Sequence, residues 1–224
     1  MAADGGARER LWLYDTTLRD GQQTQGVQFS LEEKRQIAGM LDALGVDHVE
    51  GGWPGANPVD SAFFEAAPPM GHARLTAFGM TKRAGRSAAN DATLAGVVNA
   101  GTPAVCLVGK THPFHVTTAL GIGLEENCAA IRDSVAHVVA QGREAIFDAE
   151  HFFDGYAADP GYALSCLHAA LEAGARWVVL CDTNGGRLPD EIGHVVGEVI
   201  AAGVPGARLG IHAHNDTETA VAGT

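Results

Sequence analysis

Seven short strand-forming runs, starting roughly 30 residues apart, limit most sharply what this chain can fold into. They are LWLYD (11–15), HVEGG (48–52), RLTAF (74–78), AVCLVG (104–109), AIFDAE (145–150), WVVLCD (177–182) and LGIHAH (209–214). Most are apolar throughout, as parallel strands covered on both faces require. Helical periodicity fills the stretches between them. In SLEEKRQIAGMLDALG (30–45), Ser30 and Glu33 have capping-box spacing, Ile37, Leu41 and Leu44 share a stripe, and Gly45 supplies the stop. Residues 124–142, 159–174 and 189–203 repeat this pattern, each closing on a glycine, and Pro160 and Pro189 suit first-turn positions.

Serial β/α units leave two main architectures, an open doubly wound sheet and a TIM barrel. No GxGxxG or P-loop follows the first run, which weakens the nucleotide-fold option. Polar residues collect instead at the carboxyl ends of many runs: Asp15 to Gln23, Glu50, Lys110, Glu150, Asp182 to Asn184, and His212 to Asp216. Chemistry spread over many strand ends is the barrel arrangement. A barrel needs eight strands and seven can be counted, so the expectation is an incomplete (β/α)8-type TIM barrel over residues 11–224. A flexible polar tail is expected over residues 1–10.

Composition narrows the function classes. At 224 residues, 46% of them apolar and 19% charged, one soluble domain is expected. A net charge of −12 argues against nucleic-acid or anionic-membrane partners. The N-terminal stretch lacks a signal-peptide core, and no run reaches the ~18 apolar residues of a membrane span. Cys106, Cys128, Cys166 and Cys181 form no CxxC pair and sit in apolar segments, so reduced thiols and a cytoplasmic location are expected.

Residues i and i+2 of a strand project from one face, so His212 and His214 of HAH point the same way. A bare HxH pair is more often surface or core than ligand, but its place at a strand end favours ligation. The stretch YDTTLRDGQQ (14–23) brings Asp15, Arg19 and Asp20 together just past the first strand. One reading is a plain turn in which Arg19 pairs with Asp15. The other adds Asp20 to His212 and His214, giving a two-His, one-carboxylate site with open positions. In a barrel only the eighth strand separates the first from the seventh.

The motifs DTTLRDGQQ, VEGGWPGANPVDSAFF, FDAEHFFDGY, CDTNGG and GIHAHND together resemble the citramalate synthase branch of the 2-isopropylmalate and homocitrate synthase group. These are DRE-TIM metallolyases, and the likeness runs from Leu11 to Val221. EGGWPGANP with DAEHFFDGY favours the citramalate-like branch. The resemblance implies a divalent-metal-dependent (Zn, Mn or Mg) condensation of acetyl-CoA with a 2-oxo acid, most simply pyruvate giving citramalate for isoleucine biosynthesis. It implies a homodimer in full-length relatives. It also assigns residues: Asp20, His212 and His214 as metal ligands, Asp15 as a supporting acceptor, and Arg19 as the group that polarises the ketone. Gln23 lies beside that arginine, Glu50 closes the second strand, Thr183 contacts the 2-oxo acid carboxylate, and Glu150 lies near the reacting carbons.

Glu150 could serve as general base for the acetyl methyl if burial raises its proton affinity, or could merely orient its neighbours. Family barrels continue past the HxHND helix into an eighth strand, so the sequence reads as a C-terminally truncated member. The alternatives are a catalytically inactive fragment and a retro-aldol lyase of the same superfamily. A two-His, one-carboxylate Fe(II) oxygenase is weaker, because the β/α series conflicts with its usual jelly-roll setting.

Overall fold

The computed structural model describes residues 10–224. The expected tail therefore falls, up to residue 9, outside the described residues. Seven parallel strands, β1 (Tyr14–Asp15), β2 (His48–Gly52), β3 (Arg74–Met80), β4 (Ala104–Lys110), β5 (Glu144–Glu150), β6 (Trp177–Asp182) and β7 (Leu209–Ala213), pair in strict sequence order. Helices cover the outside of this curled sheet, a TIM-barrel-like arrangement that is incomplete. Among the described residues β1 pairs only with β2, and β7 only with β6.

The helices are α1 (Leu31–Leu44), α2 (Pro58–Glu65), α3 (Ala92–Asn99), α4 (Leu124–Ala140), α5 (Phe152–Ala158), α6 (Pro160–Glu172), α7 (Pro189–Ala201) and α8 (Ala220–Gly223). Local chemistry explains their ends. The Ser30–Glu33 capping box starts α1, and Gly45 ends it in the left-handed region. Asn57 and Pro58 open α2, and Asp91 opens α3 by accepting from Thr93 N and Leu94 N.

Strand alternation sorts the two faces. Leu107 and Phe147 point outward into the main core with Leu94, Ile131 and Phe152, whereas Cys106 and Ile146 point inward with Phe78. A second core under α1 gathers Leu18, Val49, Phe63 and Leu75. Full burial of such a side chain contributes about 1.5–3 kcal/mol. The β2–α2 corner closes so tightly that a Cβ on Gly52, at φ 139°, would meet Asp60 Cγ at 2.6 Å.

The first strand is shorter than expected. The reading 11–15 contracts to Tyr14–Asp15 because Asp47 Oδ2, not a neighbouring strand, takes Leu13 N at 2.9 Å. Leu11 and Leu13 are 84% and 60% exposed, so the apolar character that suggested a strand is not satisfied by burial here. No helix among the described residues is long and apolar enough to cross a membrane.

Candidate metal and substrate site

The turn after β1 is built to present two side chains. Leu18, fully buried, anchors it. Asp15 Oδ1 accepts from Thr17 N at 2.9 Å, and Thr16 O accepts from Arg19 N and Gly21 N, both at 3.1 Å. Asp15 thus shapes the turn, and Arg19 pairs elsewhere. Its Nε donates to Glu50 Oε1 at 2.5 Å and its Nη1 to Asp20 Oδ1 at 3.1 Å, while its guanidinium lies 3.8 Å over the Phe78 ring. Burial would discourage this charge, but Glu50 and Asp20 more than offset it and hold the proton more tightly than usual.

From across the open seam, β7 and the residue just past its end bring His212 and His214 onto the same carboxylate. Asp20 Oδ2 lies 3.4 Å from His212 Nε2 and 3.5 Å from His214 Nε2. The alternation argument therefore places both rings on one face, 5.1 Å apart. One ligand atom from each of the three residues lies within 4.8 Å of the others. The His212 hydrogen bond holds the Asp20 carboxyl below its ordinary range. Burial presses the His212 imidazole towards neutrality, yet Asp20 and Asp148 together push its proton affinity up. The trio opens onto a cleft of about 470 Å³ also lined by Tyr14, Thr24 and Asp216.

Arg19 faces a second hollow, of about 570 Å³, shared with Gln23, Trp53 and Asn57. Gln23, exposed in a short 3-10 turn, lines the same hollow as Arg19. Glu50 has no exposed surface, and Tyr14 OH donates to its Oε2 at 2.5 Å. Burial pushes Glu50 up, with the charge of Asp148 adding to the effect. Asp148, buried but 7% exposed, is likewise pushed up by burial. It forms a second close group with Cys181 and His212.

Glu150 ends β5 with Oε2 2.5 Å from Lys110 Nζ, and its side chain is 25% exposed. The burial on which its role as a base depends is therefore absent. Thr183 Oγ1 accepts from His151 N at 2.8 Å, tying the β6 end to the β5 loop. Asp182 accepts from Arg187 N, and Asn184 donates to Asp154, so both hold the loop after β6. That loop docks on the one after β7 at Gly185 (φ 59°), where a Cβ would meet Asp216 Oδ1 at 2.5 Å. His115 and His151 pack edge to face at 4.4 Å, and burial pushes both towards the neutral form.

Sequence reasoning missed Tyr14, Phe78, Lys110 as a partner, and Asp148. The signal for Asp148 was present, since it precedes Glu150 by two and so shares its inward face.

Residues 10–224 match the HMGL-like family. An (R)-citramalate synthase from Aquifex aeolicus is 51% identical over 216 residues, covering 96% of this chain and 41% of that protein. A 2-isopropylmalate synthase from Methylorubrum populi is 33% identical over 223 residues, covering 96% and 41%. The HMG-CoA lyase structure from Bacillus subtilis superposes with a TM-score of 0.79 at 16% identity, over 96% of this chain and 72% of that one, a likeness of fold. The chain spans about two fifths of the length of the curated relatives it matches.

Proposed function

The chain belongs to the HMGL-like family, and from that premise we propose that it supplies the catalytic barrel of a citramalate-synthase-type acyltransferase. The reaction joins the methyl carbon of acetyl-CoA to the ketone carbon of a 2-oxo acid, pyruvate by preference, and water then cleaves the thioester C–S bond to release the CoA thiol. The observation that carries this reading is the convergence of Asp20, His212 and His214 in a chain half identical to a citramalate synthase.

Those three residues would hold the divalent cation. One carboxylate oxygen and two imidazole nitrogens, gathered beside an open cleft, are a donor set that suits Zn²⁺ or Mn²⁺. When bound, such a cation supplies Lewis-acid polarisation of the ketone. Arg19 stands beside Asp20 with its charge secured by Glu50, ready for the negative charge that develops on the ketone oxygen. Glu50 acts through Arg19 as a positioning residue, because none of its surface is open to substrate. Thr183 spends an acceptor lone pair on His151 N and keeps its hydroxyl proton for the 2-oxo acid carboxylate. Gln23 borders the substrate from the Arg19 side. Glu150, its Oε2 held by Lys110, orients the substrate near the reacting carbons rather than taking the acetyl methyl proton.

The test supplies the protein with Mn²⁺, acetyl-CoA and, in turn, pyruvate, 2-oxoisovalerate or 2-oxoglutarate, with products read by mass spectrometry. Citramalate from pyruvate is expected, falling roughly 10²–10³-fold in Arg19→Ala. Product from 2-oxoisovalerate alone would move the chain to the 2-isopropylmalate branch. Cleavage of a 3-hydroxyacyl-CoA without condensation would make it a lyase. No product from a protein that still binds Mn²⁺ would refute the catalytic reading.

A further inference from the structure

We propose that Cys128 and Cys166 form a reversible dithiol, a modification site for hydroperoxides on the helical layer outside the barrel. Cys128 sits on α4 and Cys166 on the neighbouring α6, with their Sγ atoms 3.9 Å apart. Closing that gap to a disulfide's ~2.05 Å requires under ~2 Å of sulfur travel. The two thiols differ in access. Cys166 is fully buried, whereas Cys128 is partly open to solvent. This is the geometry of an attacking thiol backed by a resolving one, not of two inert core cysteines.

The electrostatics assign the same roles. The Cys166 thiol hydrogen-bonds to Cys128, and Arg132 lies one helical turn further along α4. Together they hold the Cys128 thiol below its usual range. That same bond, together with burial, pushes the Cys166 thiol up. Burial likewise raises Cys106 and Cys181, both enclosed on the barrel side, so these two are the unreactive internal comparison.

The chemistry balances with a hydroperoxide as oxidant. The Cys128 thiolate, its proton lost to water, attacks a peroxide oxygen and breaks the O–O bond. Sulfur is oxidised to the sulfenic acid, and the peroxide is reduced, its leaving oxygen departing as hydroxide from hydrogen peroxide or as an alkoxide from an organic hydroperoxide. The Cys166 thiol then attacks that sulfur, forms the S–S bond and expels water. A thiol reductant restores both cysteines.

The pair also abuts a polar link to the mouth of the barrel. Asn127 Nδ2, beside Cys128, donates to Lys110 O and to Tyr162 OH, each at 2.8 Å, and Lys110 Nζ pairs with Glu150. A clamp between α4 and α6 therefore acts on the segment that carries Lys110.

The test treats the reduced protein with equimolar hydrogen peroxide, alkylates it after denaturation, and digests it without reductant for mass spectrometry. A cross-linked peptide joining Cys128 to Cys166, lighter by two hydrogens and reversed by dithiothreitol, is expected. Cys106 and Cys181 should remain alkylatable and oxidise about tenfold or more slowly. In Cys166→Ser, dimedone should label Cys128. Absence of the cross-link, or oxidation of Cys106 or Cys181 at the rate of Cys128, overturns the proposal. So does a Cys166→Ser protein whose melting curve matches the parent's but whose Cys128 takes no dimedone.

Discussion

Replacing Lys34 with methionine tests how much of the β2–α2 corner rests on one buried charge pair. Lys34 is fully buried, and its Nζ is bound to Oδ1 of Asp60, itself only 4% exposed. Asp60 Oδ2 also accepts from Trp53 N at 2.9 Å, so the carboxylate ties α1, α2 and the end of β2 together. Methionine keeps most of the aliphatic stem and removes the Nζ that lies 5.4 Å from the Phe63 ring centroid. It removes the charge opposite Asp60 and, among the described residues, leaves that carboxylate with the Trp53 N–H as its single donor. Breaking one partner of a buried pair costs about 3–5 kcal/mol. At about 2–4 °C per kcal/mol for a chain of this size, the melting temperature should fall by roughly 6–20 °C. Urea denaturation supplies the free energy directly. Asp60→Asn should cost a similar amount, and Lys34→Met/Asp60→Asn clearly less than the two singles added. A Lys34→Met loss below ~1 kcal/mol, or strict additivity in the double variant, would refute the assignment of this pair as a desolvated tie.

Three further outcomes follow from the same geometry. Mn²⁺ or Zn²⁺ at about 100 times its Kd should add roughly 2.7 kcal/mol of stability through the Asp20, His212 and His214 site. An equal thermal shift in Asp20→Ala would show that the cation binds elsewhere. Asp91, 1% exposed, is pushed up by burial but held lower still by Arg83 N, Thr93 N and Leu94 N at 2.9–3.0 Å. A depressed folded value means stability present above the unfolded ~3.9 and lost as pH falls through the folded value. The stability gap between the parent and Asp91→Asn, measured by denaturant at pH 7 and pH 3, should therefore narrow at pH 3. Glu50→Gln should lower the rate of citramalate formation more than it raises the Michaelis constant for pyruvate, because it loosens Arg19 without touching substrate. A change confined to the Michaelis constant would make Glu50 a binding group.

How far the fold could be read from sequence follows from which forces act locally. The strand-forming runs HVEGG and WVVLCD located β2 and β6 to the residue, since those strands are paired on both sides. The same reasoning overextended β1, where Trp12 and Leu13 look strand-like but lack a second partner strand. Cap chemistry placed α1 because Ser30, Glu33 and Gly45 act within one turn of the chain. The site separated in the same way. The alternation that aligned His212 with His214 is local, and so is the Asp20 turn. The choice of Glu50 over Asp15 as the partner of Arg19 is made by β1–β2 register, which no spacing within residues 14–23 contains. Lys110 against Glu150 is likewise a β4–β5 register effect, and it turns an isolated acid into half of an ion pair.

The ligand set lies at the open seam between β1 and β7. Asp20 follows the end of β1, while His212 lies in β7 and His214 just past it, and among the described residues these two strands share no backbone hydrogen bonds. Asp20 and the histidines therefore meet through side chains alone, at 3.4 and 3.5 Å, across two unpaired strand edges. Their spacing depends on how far the seam opens, whereas the Arg19–Glu50–Tyr14 cluster sits on the paired β1–β2 side and is fixed by the sheet. A cation held by all three ligands would bridge the edges, so part of its binding energy goes into fixing the seam and its affinity is reduced by that amount. Anything that pairs with β1 and β7 removes this cost, which makes closure of the sheet and tight metal binding two expressions of one equilibrium.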